Sequence, residues 1–331
     1  MRVLVTGGAG FIGSHLCERL LARADQVVCL DDLSTGRERN LAACRARSGF
    51  EFVRGSVLDE HLVHELVRGV QGVFHLAARV GVRLVLERPS ETLEVNVDGT
   101  RHVLAAAARR GARVLFASSS EVYGRNEHPP FAEDGPLLTG ATGDARWSYA
   151  RSKALGEGLA LARAREQRLP VVVVRFFNVV GPRQRGSHGM VLPRFVRAAR
   201  SGAPLEIYGD GRQTRCFLHV EDALEAVLAL WDEPRALGQV VNVGGAREIE
   251  IGALAECVRL SAGSTSALVH RPYRQAYGVE FEDFRRRVPD LARLEALIGR
   301  REPRALEAIV AELLALPDAA LPDAAPTGSY A

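Results

Sequence analysis

The chain has 331 residues, 47% of them hydrophobic and 25% charged, with a formal net charge of +3. This is the composition of a globular protein of one large or two modest domains, and so small a charge gives no reason to expect nucleic acid or an anionic membrane as partner. No apolar run reaches the roughly 18 residues of a membrane-spanning helix, and the opening MRVLVTGG runs directly into a strand and a glycine turn, so no signal peptide is expected. The five cysteines (Cys17, Cys29, Cys44, Cys216 and Cys257) are scattered and lack metal-ligand spacing. They read as reduced thiols of a cytoplasmic protein, with no metal site expected.

In chain order, Arg2–Thr6 reads as a strand, 11–23 as a helix, 26–30 as a strand and Phe50–Arg54 as another. Strands at 73–76 and 113–117 follow, with a helical run over 95–110 between them. A long helix over 149–167 leads to a strand at 170–175. The strands are apolar throughout rather than alternating, which predicts a parallel sheet buried on both faces by helices, an α/β fold of the doubly wound Rossmann type. After Asn178 the pieces shorten: helices near 192–201, 220–231 and 251–260, and strands near 205–208 and 240–243. The expected organisation is a nucleotide-binding domain over 1–178 interleaved with a smaller α/β substrate lobe over 179–316. The Pro/Ala-rich segment 317–331 reads as a disordered tail.

The first strand–turn–helix carries TGGAGFIGSHL, with Gly8, Gly10 and Gly13 in the G-x-G-x-x-G spacing. Glycines there allow a tight turn and close approach of a pyrophosphate to a helix N-terminus. Asp31 closes the second strand at the distance expected for a carboxylate on the adenosine ribose. It would repel a 2′-phosphate, which favours NAD over NADP.

WSYARSK places Tyr149 and Lys153 four residues apart, on one face of a helix. A tyrosine beside an ammonium and a nicotinamide ring has a stabilised phenolate and can act as a base near neutral pH. Ser119 can share the hydrogen bond to the substrate oxygen. Lys153 is the one lysine among 43 basic residues. Arginine's planar fork cannot replace its compact charge, so chance is the weaker explanation for its survival in this motif.

With these motifs the chain resembles the extended short-chain dehydrogenases/reductases, in the branch that modifies nucleotide sugars, to about residue 315. The likeness rests on TGGAGFIGSHL, HLAA (75–78), NVDGT (96–100), SSSEVYG (118–124), YARSK, RFFNVVGPRQR (175–185) and YGDGRQTRCFLHVEDA (208–223). It implies cofactor contacts from Gly7, Gly10, Phe11, Ile12, Gly13, Asp31, Leu76, Ala77, Asn96, Tyr149 and Lys153. A nucleoside diphosphate grip is implied from Asn178, Arg185, Val191, Tyr208 and Arg215, the last suited to bidentate phosphate contact.

Position 121 separates activities within that branch. The resemblance implies a small or hydroxyl residue there in sugar 4-epimerases and an Asp-Glu pair at 120–121 in 4,6-dehydratases. Ser120-Glu121 is similar instead to the UDP-glucuronic acid decarboxylases. Arg287, just before VPD, matches an arginine of that family, whereas Arg285 and Arg286 read as a solvated basic run. By this resemblance Ser119, Ser120, Glu121, Tyr149, Lys153 and Arg287 are catalytic, and Arg287 also meets the uronate. Oxidation at C4 would make a β-keto acid that loses CO2, its enolate held by Tyr149 and Ser119. Glu121 would hold water or pass a proton, and the product would be UDP-xylose or a UDP-4-keto-pentose.

Two departures matter. Ser56 stands where relatives have an aspartate near adenine. Gly81-Val82-Arg83 is similar to the glucuronate 4-epimerases, which supports a uronic acid substrate contacted by Arg83. The alternatives are a UDP-glucuronate or UDP-sugar 4-epimerase, an NDP-sugar 4,6-dehydratase and, from another class, a non-catalytic NAD-sensing protein. A homodimer is expected, because the alanine-rich faces of helices 95–110 and 149–167 permit a four-helix bundle, as the resemblance also implies.

Overall fold

The computed structural model describes residues 1–186, 190–277 and 284–317. The expected tail therefore lies outside the described residues except for Pro317, as does the side chain of Arg83.

The chain opens with β1 (Arg2–Thr6), α1 (Phe11–Ala22), β2 (Gln26–Asp31), α2 (Ala42–Arg45), β3 (Phe50–Arg54), α3 (Glu60–Arg68) and β4 (Gly72–His75). Next come α4 (Val82–Glu87), α5 (Pro89–Arg110), β5 (Arg113–Ser119), α6 (Ser148–Gln167), β6 (Val171–Phe176) and β7 (Val179–Val180). The second half carries α7 (Val191–Ser201), β8 (Leu205–Tyr208), β9 (Thr214–Cys216), β10 (Leu218–His219), α8 (Val220–Asp232), β11 (Val240–Val243), β12 (Glu248–Glu250) and α9 (Ile251–Ser261). It closes with β13 (Leu268–Arg271), α10 (Tyr273–Tyr277), α11 (Ala292–Ile298) and α12 (Leu306–Ala315).

Seven strands form one parallel sheet in the order β11-β6-β5-β4-β1-β2-β3. The apolar runs VLVT, VVCL and VVVV are buried because helices cover both faces. On one face α1 and α8 pack Leu16, Leu20, Leu224 and Trp231 against Val5, Val172 and Val241. On the other, α3, α5 and α6 pack Val63, Val103, Leu104 and Ala160 against Leu4, Val114 and Val173. The strand order reverses between β1 and β4, which pair through Thr6 and His75. In open sheets of this kind a ligand crevice forms there, beyond the carboxyl ends of the strands.

Beyond residue 178 the chain both returns to this sheet and leaves it. β11 pairs in parallel with β6, whereas α7, α9 and α12 bury Leu192, Phe195, Leu254, Ile309 and Val310 in a separate core. Its sheets are two-stranded ladders, β10-β7, β12-β9 and β13-β8. Among the described residues no helix is long and apolar enough to cross a membrane.

Two boundaries depart from the sequence reading. α5 begins at Pro89 rather than 95, because proline at the first helical position has its φ preset and needs no amide partner. β5 runs on to Ser119, whose Cα pairs with Phe176 on β6. The first two serines of SSSEVYG are therefore strand, and only Ser120–Tyr123 form the 3-10 turn.

Candidate active site

A cleft of about 460 Å³ runs from the glycine turn, past the ends of β4 and β5, to the second core. Its first wall is the turn itself. Gly7 has φ +72°, and a Cβ there would lie 2.7 Å from the Ala77 nitrogen. A Cβ on Gly13 would lie 2.2 Å from the Gly7 oxygen, so α1 can pack this close to the turn only through a glycine. A Cβ on Gly10 would meet only the Gly7 oxygen, at 3.1 Å, and otherwise point into open cleft. Gly10 is the N-cap of α1, which has no side-chain cap and no acidic residue in its first turn, leaving its positive end for an anion. Gly7, Gly10, Phe11, Ile12 and Gly13 line this end. Gly8 sits behind the turn, where a Cβ would come 2.4 Å from the Cys29 sulfur.

Asp31, at the tip of β2, is buried on the cleft wall. It accepts hydrogen bonds from the Ala9 amide (2.9 Å) and the Leu33 amide (2.8 Å). Ser56, Leu76 and Ala77 complete the wall. Helix terminus, glycine cradle and fixed carboxylate together fit a dinucleotide. Asn96 is the exception among the expected contacts: it does not reach the wall. Buried on α5, it accepts from the Arg79 amide (2.8 Å) and donates to the Arg79 carbonyl (3.2 Å) and Ser152 Oγ (3.0 Å). It braces the β4–α4 loop against α6.

β5 and α6 bring the next group together. Ser119, Ser120, Glu121, Tyr149 and Lys153 all line the cleft. Lys153 is buried, and its Nζ donates to the Ala117 carbonyl at 2.8 Å and lies 6.0 Å from the centre of the Tyr149 ring. Burial pulls the ammonium down to about 8, with the charge of Glu157 working against it. Burial pushes the Tyr149 phenol well above the usual tyrosine range; the Ser119 hydrogen bond pulls it down and the Glu121 carboxylate adds to the rise. In the protein alone the lysine hydrogen-bonds a backbone carbonyl and burial dominates at the phenol; the expected easing of the phenolate belongs to the state in which a nicotinamide ring lies beside Tyr149 and Lys153.

Glu121 is clamped by two guanidiniums. Arg146 reaches its Oε2 at 2.8 Å and Arg287 its Oε1 at 2.8 Å. Both arginines are buried, and both stack on Phe284, 5.3 Å and 4.0 Å from the ring centre. Burial alone would raise the Glu121 carboxyl, but the two cations hold it at about 2. It is therefore a carboxylate throughout the neutral range, able to accept a proton or hold a water but not to donate a proton as an acid. Arg146 escaped the sequence reading, since nothing distinguishes it there from other arginines. Its position three residues before Tyr149 is the only signal.

The far end of the cleft gathers Asn178, Arg185, Val191, Tyr208, Arg215 and Arg287. Arg185 donates to the Thr35 carbonyl at 2.9 Å, which links this end to the β2 loop. Arg215 donates to the Thr214 and Phe284 carbonyls at 2.7 and 3.0 Å. The Arg194 guanidinium lies 3.7 Å over the Tyr208 ring, so Arg194 joins this group although the sequence did not single it out. Arg285 and Arg286 pair with Asp210 and Glu248 at the exposed surface, as a solvated run would.

A doubly wound sheet, a glycine-turn nucleotide site and a Ser-Tyr-Lys group in one cleft define a dinucleotide-dependent enzyme of the short-chain dehydrogenase/reductase class. Residues 3–244 match the NAD dependent epimerase/dehydratase family, and the chain belongs to it. A UDP-N-acetyl-alpha-D-glucosaminuronate decarboxylase of Bacillus cytotoxicus is 44% identical over 297 residues, covering 89% of this chain and 91% of its own. UDP-glucuronic acid decarboxylase 1 of Xenopus tropicalis is 33% identical over 298 residues, 90% of this chain and 68% of its own. Among solved structures, DesIV of Streptomyces venezuelae, a dTDP-glucose 4,6-dehydratase with NAD and TYD bound, superposes with a TM-score of 0.85 at 31% identity, covering 95% of this chain and 96% of that one.

Proposed function

We propose that this chain is an NAD-dependent decarboxylase of a UDP-hexuronic acid, acting through a 4-keto sugar. The observation that carries the proposal is the Arg146–Glu121–Arg287 cluster beside Ser119 and Tyr149. A 4-epimerase of a neutral hexose has no use for two buried guanidiniums at the sugar end of its cleft, whereas a uronate does. A 4,6-dehydratase needs an acid to expel water from C6. Position 120 here is a buried serine, and Glu121 stays ionised. The two decarboxylase relatives act on UDP-uronic acids, which supports the same substrate class here.

Gly7, Gly10, Gly13 and Asp31 would hold the cofactor, with Lys153 at its reactive end. Bound NAD supplies a hydride acceptor at C4 and a positive charge. With the positive charges of Lys153 and of the bound cofactor drawing its phenol down to the phenolate, Tyr149 would take the proton of the C4 hydroxyl, and Ser119 would hold the same oxygen. A ketone at C4 makes the C6 carboxylate a β-keto acid, whose C5–C6 bond breaks with its electron pair delocalised onto the C4 oxygen. Ser119 and Tyr149 stabilise that developing enolate by hydrogen bonding. Arg287 receives the carboxylate before it departs as CO2. Glu121, being ionised, orients Arg287 and Arg146 and would hold a water that relays a solvent proton to C5. Asn178, Arg185, Arg194, Tyr208 and Arg215 grip the nucleoside diphosphate. The proposed setting is the reducing cytoplasm, in keeping with five free cysteines, four of them buried.

We further propose a homodimer through α5 and α6. These helices pack on each other and leave Leu93 (39% exposed) and Leu155 (56% exposed) on their outer side. The functional test is CO2 release from UDP-glucuronate and from its 2-acetamido counterpart. Interconversion of C4 epimers without CO2 would replace the decarboxylase by an epimerase.

A further inference from the structure

One buried charged network takes no direct part in the chemistry above. Glu157 lies one helical turn beyond Lys153 on α6, and both are buried. Its carboxylate accepts two hydrogen bonds from Arg175 of β6, from Nε at 2.9 Å and from Nη2 at 2.7 Å. It accepts a third from the Ser118 hydroxyl on β5. Arg175 is fixed in turn by the Glu133 carbonyl at 3.0 Å and lies 4.8 Å from the centre of the Tyr123 ring. The network is directly joined to the active group: Ser118 sits between Ala117, whose carbonyl accepts the Lys153 hydrogen bond, and Ser119.

We propose that Glu157, locked by Arg175 and Ser118, is a positioning residue that holds the Lys153 ammonium charged and in place at the cleft. This rests on the role given to Lys153 in the proposed function. A buried ion pair is weak evidence for stability, since apolar side chains of similar size often serve a core as well. What an apolar pair cannot supply is a negative charge behind a buried ammonium. Desolvation disfavours the charged form of Lys153, and a fixed carboxylate one turn away opposes that loss. Arg175 and Ser118 keep the carboxylate from swinging onto the ammonium and pulling it off the Ala117 carbonyl. The other groups facing Lys153 do not replace Glu157. His75 of β4, bridging Thr6 and Thr100, is kept neutral by burial and by Lys153 itself. Tyr149 on the same helix is protonated. Glu121, on the turn after β5, is engaged by Arg146 and Arg287. α5 presents the uncharged Asn96 and Thr100.

Because Lys153 is the only lysine in the chain, selective 13C-lysine labelling gives one side-chain resonance whose pH titration reads this ammonium alone. The experiment compares purified wild type with Glu157→Gln, Glu157→Asp and the double variant Glu157→Gln/Arg175→Met, which avoids leaving Arg175 buried without its partner. The wild-type midpoint is expected near pH 8. In Glu157→Gln and the double variant it should fall by about 1 unit or more, while Glu157→Asp, which keeps the charge, should stay near wild type. The alkaline limb of CO2 release should move to lower pH by the same amount, with KM little changed. An unchanged or raised midpoint in the charge-removing variants overturns the proposal. So does failure of both charge-removing variants to fold, which would assign the pair to the core. If the wild type releases no CO2 from either uronate, the functional reading fails on its own and the titration still decides the coupling.

Discussion

Glu121 and Tyr149 both line the cleft, yet they serve different steps of the proposed reaction, and single substitutions separate them. Tyr149→Phe removes the group that takes the C4 proton, so neither NADH absorbance nor CO2 should appear on mixing with a UDP-uronate. Glu121→Gln leaves C4 oxidation in place but loosens both arginines and the water. NADH absorbance should rise while CO2 release slows by about 10²–10⁴-fold. Normal CO2 release in that variant would make the glutamate purely structural. The pH dependence follows from the same geometry. Glu121 has a folded value near 2, below the ordinary carboxyl value, so its ionised form is lost only as pH falls through about 2. The wild-type rate should therefore show no acid limb from Glu121 between pH 4 and 7. Arg146→Gln removes one of the two cations, which raises that carboxyl and should bring an acid limb into view; a profile identical to wild type would show that Arg287 alone sets the charge.

At the scale of elements, the glycine turn makes the sharpest prediction. Gly13→Ala would put a Cβ 2.2 Å from the Gly7 oxygen and 2.8 Å from the Gly8 Cα, both backbone atoms that cannot move aside. The turn should open, at a cost of about 1–3 kcal/mol, and the rise in melting temperature on adding NAD should largely vanish. An undiminished rise would place the nucleotide elsewhere. The α5–α6 face carries a second prediction: light scattering at micromolar concentration should give twice the chain mass, and Leu155→Glu should shift it toward the monomer. A monomeric wild type would remove the four-helix bundle.

How much of these elements was legible in the sequence depended on burial. Strands such as VVVV at 171–174 are buried on both faces and leave a continuous apolar run, so β1, β2, β5 and β6 could be placed within a residue or two. Outside the main sheet β7, β9, β10 and β12 are two or three residues long, too short for any periodicity to register, whereas β8 lies at the 205–208 read from the sequence. α3 escaped as well, although its signals are ordinary: Asp59 caps it by accepting from the Leu62 amide at 3.0 Å, and Val63 and Val67 form its buried stripe. In the site, Tyr149, Lys153 and the glycines were readable because their spacing is tied to one local element. Arg146 and Arg194 were not, because an arginine's burial and stacking are set by residues distant in sequence, such as Phe284 for Arg146. Asn96 shows the reverse: its motif was legible, but its side chain turned out to brace a loop rather than line the cleft.

At the scale of the whole molecule, the sheet and the second core form the two sides of one cleft. Nucleotide chemistry is set at the β1–β4 switch point, and the Glu121 cluster joins it to the far wall through Arg287. Removal of the carboxylate of a UDP-hexuronic acid is the reaction proposed for this cleft. The most direct test is to incubate the purified protein with UDP-glucuronate, and separately with UDP-N-acetylglucosaminuronate, each labelled with 13C at C6, and to follow the label. Labelled CO2 should appear with at least one of them, and a UDP-pentose or its 4-keto form should accumulate in equal amount. Label retained in a C4-epimeric UDP-hexuronate, with no CO2 from either compound, would contradict the proposed reaction.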